Sequence, residues 1–287
     1  MTDTFYPIMA RGKGRFAPDR MQYFAEGAMA DLQGTDLMII AGTQPPVAFF
    51  SYPGKPSLLV PEGCQTLMLG GPDTDSADTL IRLAEMLGAD EQAPVSELML
   101  PATPTGDLDA AKIGASIARH LPENAIVSDD GVSNSIMSFL ATTTAQPHDW
   151  MMLTGGAIGQ GMPLALGAAI AAPDRKVLCL SGDGAGMYTN QALWSMAREQ
   201  ADVVTVVFVN HSYRILNIEL ARTGAGNPGP VARELLHLDG PEIDWVSLAV
   251  AMGVSASEAR TAEEFDAELE RAFAIPGPYL IAAIVPG

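Results

Sequence analysis

The residues able to do chemistry gather where two apolar runs stop. The first, Leu178-Cys179-Leu180-Ser181, ends in Gly182-Asp183-Gly184-Ala185-Gly186; the second, Val203 to Val209, ends at Asn210. An apolar run, a Gly-Asp-Gly turn, a helix-like segment and a second apolar run read as a βαβ unit. Its two strands are parallel, so Asp183 and Asn210 emerge at one carboxyl edge, where open α/β folds bind ligands. A carboxylate and an amide oxygen converging there suit a hard cation such as Mg²⁺, which takes few protein oxygens and completes its octahedron with water and phosphate. Gly182, Gly184 and Gly186 let backbone N–H groups approach an anion, and a helix expected to begin near Thr189 points its positive end the same way. The ligand these residues predict is a metal-bound diphosphate.

Gly-Asp-Gly alone would read as a tight turn with Asp capping a helix, since a chain with 28 glycines contains such triplets by chance. The strands on both sides, the position of Asn210 and a second glycine-rich segment, Thr154-Gly155-Gly156-Ala157-Ile158-Gly159-Gln160-Gly161-Met162-Pro163, favour the functional reading. That segment runs into a small-residue helix, Leu164 to Ala172. Further upstream, Ala125-Ile126-Val127-Ser128 reads as a strand running into a polar loop, Asp129-Asp130-Gly131-Val132-Ser133-Asn134. Two adjacent acids beside a diphosphate would repel it unless a metal screened them, so Asp129 and Asp130 read equally well as solvated loop residues.

Gly182-Asp183-Gly184 followed by Asn210 resembles the cofactor motif of thiamine-diphosphate (ThDP) enzymes. Within that superfamily, Ala185 through Trp194 and Asn210-His211-Ser212-Tyr213 resemble the acetolactate synthase large subunit and benzoylformate decarboxylase. The resemblance implies a three-layer α/β fold, a parallel sheet flanked by helices, that binds ThDP and Mg²⁺ and is preceded by part of a second α/β domain. It implies metal ligation by Asp183, Asn210 and the Ser212 carbonyl. Cofactor contacts carried over are Val132 through its backbone, Ser133 through its hydroxyl, Gly155, Gly156, Gly182, Gly184, Ala185, Tyr188 and Tyr213. Ile158 would be the bulky residue beneath the cofactor that enforces a bent conformation, bringing its amino group against the reactive thiazolium carbon; Ile158 could equally be ordinary core, and Met162 could fill that role.

The elements that must position these residues divide the chain as follows. Residues 1 to 18 contain Arg11-Gly12-Lys13-Gly14-Arg15 without periodicity and are expected to be a connector or arm. Residues 19–90 read as part of a middle domain, with helices at 21–32 and 75–87 and strands at 37–41, 57–60 and 66–69. Residues 91–105, with Pro94, Pro101 and Pro104, read as a linker. Residues 106–287 read as the ThDP-binding domain, with later helices near 243–252 and 262–274 and a closing strand 279–285. Gly224 to Pro230 is expected to be a loop, either mobile over the site or a plain surface excursion.

Composition excludes other classes. With 48% hydrophobic and 17% charged residues the chain can bury a core. A net charge of −18 argues against nucleic acid or an anionic membrane as partner, because such binding runs on Lys and Arg. It also leaves a diphosphate to be held by metal and backbone. Cys64 and Cys179 read as free thiols of a cytoplasmic protein, and no apolar stretch reaches bilayer length. His120 and His237 read as surface or helix-end residues, and His211 has no assigned role.

By the resemblance, a pyrimidine-binding domain and its activating Glu are expected outside these 287 residues. No catalytic residue is nominated here, Glu26 and Glu62 included. Alone the chain is expected to bind cofactor weakly and to catalyse poorly or not at all. The reading is therefore the cofactor-binding portion of an acetolactate-synthase-like enzyme acting on 2-keto acids by decarboxylation with carboligation, in a homo-oligomer or a hetero-oligomer with a pyrimidine-domain subunit. The alternatives are a benzoylformate-type decarboxylase and a non-catalytic truncated homologue or interaction protein.

Overall fold

The computed structural model describes residues 1–71, 73–89, 93–224 and 229–287. Two compact units emerge, one of residues 1–4 and 18–94, the other of residues 5–17 and 95–287. The first strand, β1 (Met9–Arg11), belongs to the larger unit.

The smaller unit holds α1 (Ala25–Leu32), the parallel pair β2 (Leu37–Ala41) and β3 (Gln65–Gly70), and α2 (Ser76–Leu87). Its core is Ala25, Ala28, Leu32, Tyr52 and Leu59. Helix α2 begins where the Asp75 carboxylate accepts the N–H groups of Ala77 and Asp78, and ends at Gly88 in the left-handed conformation. Leu37, Ile39, Leu67 and Met68 on the strands, and Leu80 and Ile81 on α2, are exposed. Of the expected strand at 57–60, Leu58 makes a single isolated bridge to Val47.

The larger unit continues through α3 (Ala110–His120), β4 (Ala125–Asp130), α4 (Ile136–Ala141), β5 (His148–Met151), α5 (Gly161–Ala171), β6 (Val177–Gly182) and α6 (Asp183–Met187). Then come α7 (Ala192–Glu199), β7 (Val203–Val209), α8 (Arg214–Arg222), α9 (Pro230–Leu236), α10 (Trp245–Ala251), β8 (Ser255–Ala259), α11 (Ala262–Ala274) and β9 (Tyr279–Ile284). Among the described residues its sheet has seven strands in the order β1-β5-β4-β6-β7-β9-β8, all parallel except β1.

Buried apolar side chains cover both faces, as a parallel sheet requires. Val204, Val206 and Phe208 of β7 pack on one face with Ile113 and Ile117 of α3 and Phe265 and Leu269 of α11. Val203, Val207 and Val209 pack on the other with Met162 of α5, Leu193 and Met196 of α7 and Trp245 of α10. The period-two alternation along one strand thus feeds two separate cores, which gives three layers.

Several elements differ from expectation. The stretch expected as a free arm supplies edge strand β1, which pairs antiparallel with β5. Arg11 is buried there, donating to the Phe139 carbonyl at 2.6 Å and the Thr143 hydroxyl at 2.7 Å. A three-residue strand is too short for periodicity to reveal. Within the expected linker, residues 95–105 belong to the larger unit: Ser96 donates its N–H to the Arg15 carbonyl and accepts from Gly14, and Met99 donates to Thr144. The helix expected near Thr189 instead starts at Asp183 itself, and α7 begins at Ala192. Most of the loop expected at 224–230 lies outside the described residues.

Helices α3 and α4 touch at Gly114, where an added Cβ would lie 2.7 Å from the Met137 carbonyl oxygen. Because backbone cannot yield as a side chain can, Gly114→Ala is expected to cost about 1–3 kcal/mol. The readout is the urea midpoint of the larger unit, with Gly167→Ala in the interior of α5, whose Cβ would meet nothing within 4 Å, as the clash-free control expected to stabilise by about 0.5–1 kcal/mol.

Candidate functional site

Strand order decides where a ligand can sit. The chain runs from β4 to β5 on one side of the sheet and then returns to β6 on the other side of β4. The connections leaving the carboxyl ends of β4 and β6 therefore diverge to opposite faces, and a crevice opens between them. It is lined by Gly131, Val132, Ser133 and Asn134 after β4, by Gly182 to Ala185 after β6, and by Asn210 and Ser212 to Ile215 after β7, with Ile158 completing the wall.

Asp183 is the centre of this arrangement. It is 3% exposed, its Oδ1 accepts the Gly184 N–H at 2.8 Å, and its Oδ2 accepts those of Asn210 at 3.0 Å and His211 at 2.6 Å. One side chain thereby ties the end of β6 to the end of β7. Burial pushes its acidity towards the neutral form, and the three backbone N–H donors only partly oppose that. Among the described residues it has no Lys or Arg ion pair. A buried carboxylate with donors but no counter-cation is suited to an added cation, and Oδ1, accepting one N–H, retains a lone pair for it. Asn210, 5% exposed, accepts the Ser212 N–H at 3.0 Å and keeps a second lone pair on the same amide oxygen. The loop that follows is pinned by backbone bonds from Tyr213 to Leu236 and from Leu238 to His211.

The glycines fit close approach. A Cβ on Gly184 would lie 2.4 Å from the Tyr213 ring, whereas one on Gly182 would meet only atoms near 4 Å. Two non-glycine residues beside the cleft sit in the left-handed region: Val132 at φ 51° and His211 at φ 53°. For β-branched Val132 this costs energy that the surrounding bonds must offset, and such strain concentrates at functional sites.

Of the residues selected from sequence, Val132, Ser133, Ile158, Gly182, Asp183, Gly184, Ala185, Asn210, Ser212 and Tyr213 line this one cleft. Met162 is core beneath it, 1% exposed, leaving Ile158 on the wall. Gly155 and Gly156 lie outside the lining, on a 3₁₀ turn at Thr154–Gly156. Tyr188 caps the carboxyl end of α6 and is exposed. Sequence reasoning missed Gly131, Asn134, Arg214 and Ile215 as lining residues; of these Gly131 and Asn134, in the polar loop after β4, carried a local signal.

Asp129 and Asp130 are not solvated loop residues. Both close β4 and are buried at 5% and 1%. Asp129 accepts from the Gly131 N–H at 3.0 Å and the Trp150 indole at 3.2 Å. The Asp130 Oδ2 accepts the N–H groups of Gly159 at 2.8 Å and Gly161 at 3.1 Å, which fixes the loop carrying Ile158 to the end of β4. Its Oδ1 is buried without a partner.

Comparison with known proteins places this geometry. The family described as "Thiamine pyrophosphate enzyme, C-terminal TPP binding domain" matches residues 110–283. The chain belongs to that family. Over its whole length it is 48% identical to 56% of the "Putative acetolactate synthase large subunit IlvX" of Mycobacterium tuberculosis. It is 31% identical to benzoylformate decarboxylase of Pseudomonas aeruginosa over 56% of this chain and 29% of that one. Among solved structures, the thiamine diphosphate-dependent 4-hydroxybenzoylformate decarboxylase of Rhodococcus jostii RHA1 superposes with a TM-score of 0.74 at 25% identity, covering 93% of this chain and 52% of that one. The chain thus spans about half the length of the M. tuberculosis relative and of that solved structure. Membership carries with it the TPP-binding fold and kinship with acetolactate synthases and 2-keto acid decarboxylases. Among the described residues no helix is long and apolar enough to cross a membrane.

Burial pushes the Asp130 carboxyl from 3.8 up to about 6, against the two N–H bonds it accepts. A raised carboxylate pKa means the native state holds its proton over pH 4–6 while the unfolded chain has lost it, so this group's contribution to stability falls as pH rises through that window, by up to about 3 kcal/mol. Asp130→Asn keeps an acceptor for Gly159 and Gly161 without the charge. The stability of Asp130→Asn relative to wild type is therefore expected to grow between pH 4 and 6 and to level off above, as read from urea unfolding at each pH; a pH-independent difference would refute it.

Proposed function

We propose that residues 106–287 form the Mg²⁺- and ThDP-binding part of an acetolactate-synthase-like enzyme that acts on 2-keto acids by decarboxylation with carboligation. The observation that carries this reading is the buried Asp183 carboxylate, bonded to backbone N–H groups at the ends of two parallel strands and without a Lys or Arg partner among the described residues, with the Asn210 amide oxygen beside it. Asp183, Asn210 and the Ser212 carbonyl would hold the metal. Backbone groups at Val132, Gly182, Gly184 and Ala185, the Ser133 hydroxyl and the Tyr213 and Tyr188 pair would surround the diphosphate. Ile158 would support the bend of the cofactor, while Gly155 and Gly156 would approach it from the turn upstream. When bound, ThDP supplies the nucleophilic carbon and electron sink for removing CO₂ from a keto acid.

The chain's own residues then bind and orient. Asp183 holds the β6 and β7 loops in register around the metal. Asp130 anchors the Ile158 loop to the end of β4. The proton relay at the cofactor's pyrimidine would fall to a glutamate of a pyrimidine-binding domain outside these 287 residues. The exposed apolar residues of the smaller unit, read as part of a middle domain, support such an oligomer. A second reading, decarboxylation without carboligation, is favoured by the similarity to the 4-hydroxybenzoylformate decarboxylase structure. Analysis of products from pyruvate and from aromatic keto acids in the assembled enzyme separates the two.

Calorimetric titration with ThDP tests the cofactor site. Binding is expected with Mg²⁺, is lost on adding EDTA, and falls by at least about tenfold in Asp183→Ala. Wild-type affinity in Asp183→Ala would overturn the assignment.

A further inference from the structure

One cation on the cleft wall has no side-chain partner among the described residues. Arg214 is the one lining residue with a side chain that is positive at neutral pH, and it makes neither an ion pair nor a side-chain hydrogen bond among the described residues. Arg15 and Arg233 likewise show no ion pair among the described residues, but neither lines the cleft. Other arginines have found partners: Arg175 pairs with Asp149, Arg260 with Glu258 and Arg271 with Glu268.

Arg214 is also the first residue of α8, where the free N–H groups of the first turn already concentrate positive charge. A guanidinium there is electrostatically unfavourable in the empty chain. The conflict is relieved if an anion occupies the cleft. Arg214 lies two residues beyond Ser212 and four beyond Asn210, so its position is at the metal and diphosphate end of the site. There, one divalent cation does not neutralise a diphosphate together with Asp183.

We infer that Arg214 binds the terminal phosphate of the ThDP diphosphate, which makes it a side-chain anchor in a site otherwise built from metal ligands and backbone. The inference rests on the cofactor reading above. A guanidinium matches phosphate geometry through paired N–H donors, and a point charge on Lys reproduces that only in part.

The test is calorimetric titration of the full chain with ThDP and with thiamine monophosphate, in Mg²⁺ at low and high salt and without keto acid. Arg214→Gln is expected to weaken ThDP binding about tenfold, to flatten its salt dependence and to leave the monophosphate almost unaffected, with Arg214→Lys intermediate. Because Arg214 is exposed and unpaired, its substitution leaves the far-UV circular dichroism unchanged. Wild-type affinity and salt dependence in Arg214→Gln, with Asp183→Ala still impaired, would overturn this assignment alone and leave the guanidinium for a substrate carboxylate. Failure of the wild-type chain to bind millimolar ThDP would overturn the cofactor reading and this inference with it.

Discussion

The arrangement at the carboxyl edge hangs on one buried carboxylate. Asp183 accepts N–H groups from its own loop and from the loop after the neighbouring strand, so its two oxygens set the spacing between Gly184 and Asn210. Three backbone donors are good partners for an anion, yet burial outweighs them and the carboxyl is driven towards its neutral form. The chain therefore holds, at the end of β6, an electrostatic deficit that a divalent cation can fill.

The sheet explains why that deficit opens onto a cleft. Had β5 and β6 followed β4 on one side, their connections would have packed on one face and left no crevice. The return of the chain across β4 sends α4 and α5 to opposite sides and leaves the ends of β4, β6 and β7 around one space. Asp130 then brings in a third segment, because its carboxylate receives the N–H groups of Gly159 and Gly161 and so sets Ile158 on the wall. Two buried acids with similar backbone partners thus have different jobs: one is placed to meet a cation, the other to hold a loop.

Electrostatics around the cleft follow the same economy. In an acidic chain the exposed and unpaired Arg214 stands where backbone dipoles already repel it, and Val132 and His211 hold left-handed backbone on either side. These local costs lie within a rigid three-layer scaffold, whose two apolar cores keep the strand ends fixed.

The sequence by itself determined that Asp183 and Asn210 share an edge, because two apolar runs joined by a short helical segment can only be neighbouring or near-neighbouring parallel strands. It also singled out Gly182, Gly184 and Ile158, which line the cleft, together with Gly155 and Gly156, which lie outside the lining. The tertiary structure decided what depends on distant segments. The three residues of β1 and the four of β5 are too short to show a period, and they form strands because neighbours supply the ladder. Asp129 and Asp130 look like loop acids in a linear reading, but both are buried, with N–H groups 29 and 31 residues on from Asp130 donating to its Oδ2 and the Trp150 indole donating to Asp129. Arg214 carries no motif at all; only strand order places it on the cleft, because a side chain's electrostatic role is set by what the fold brings beside it.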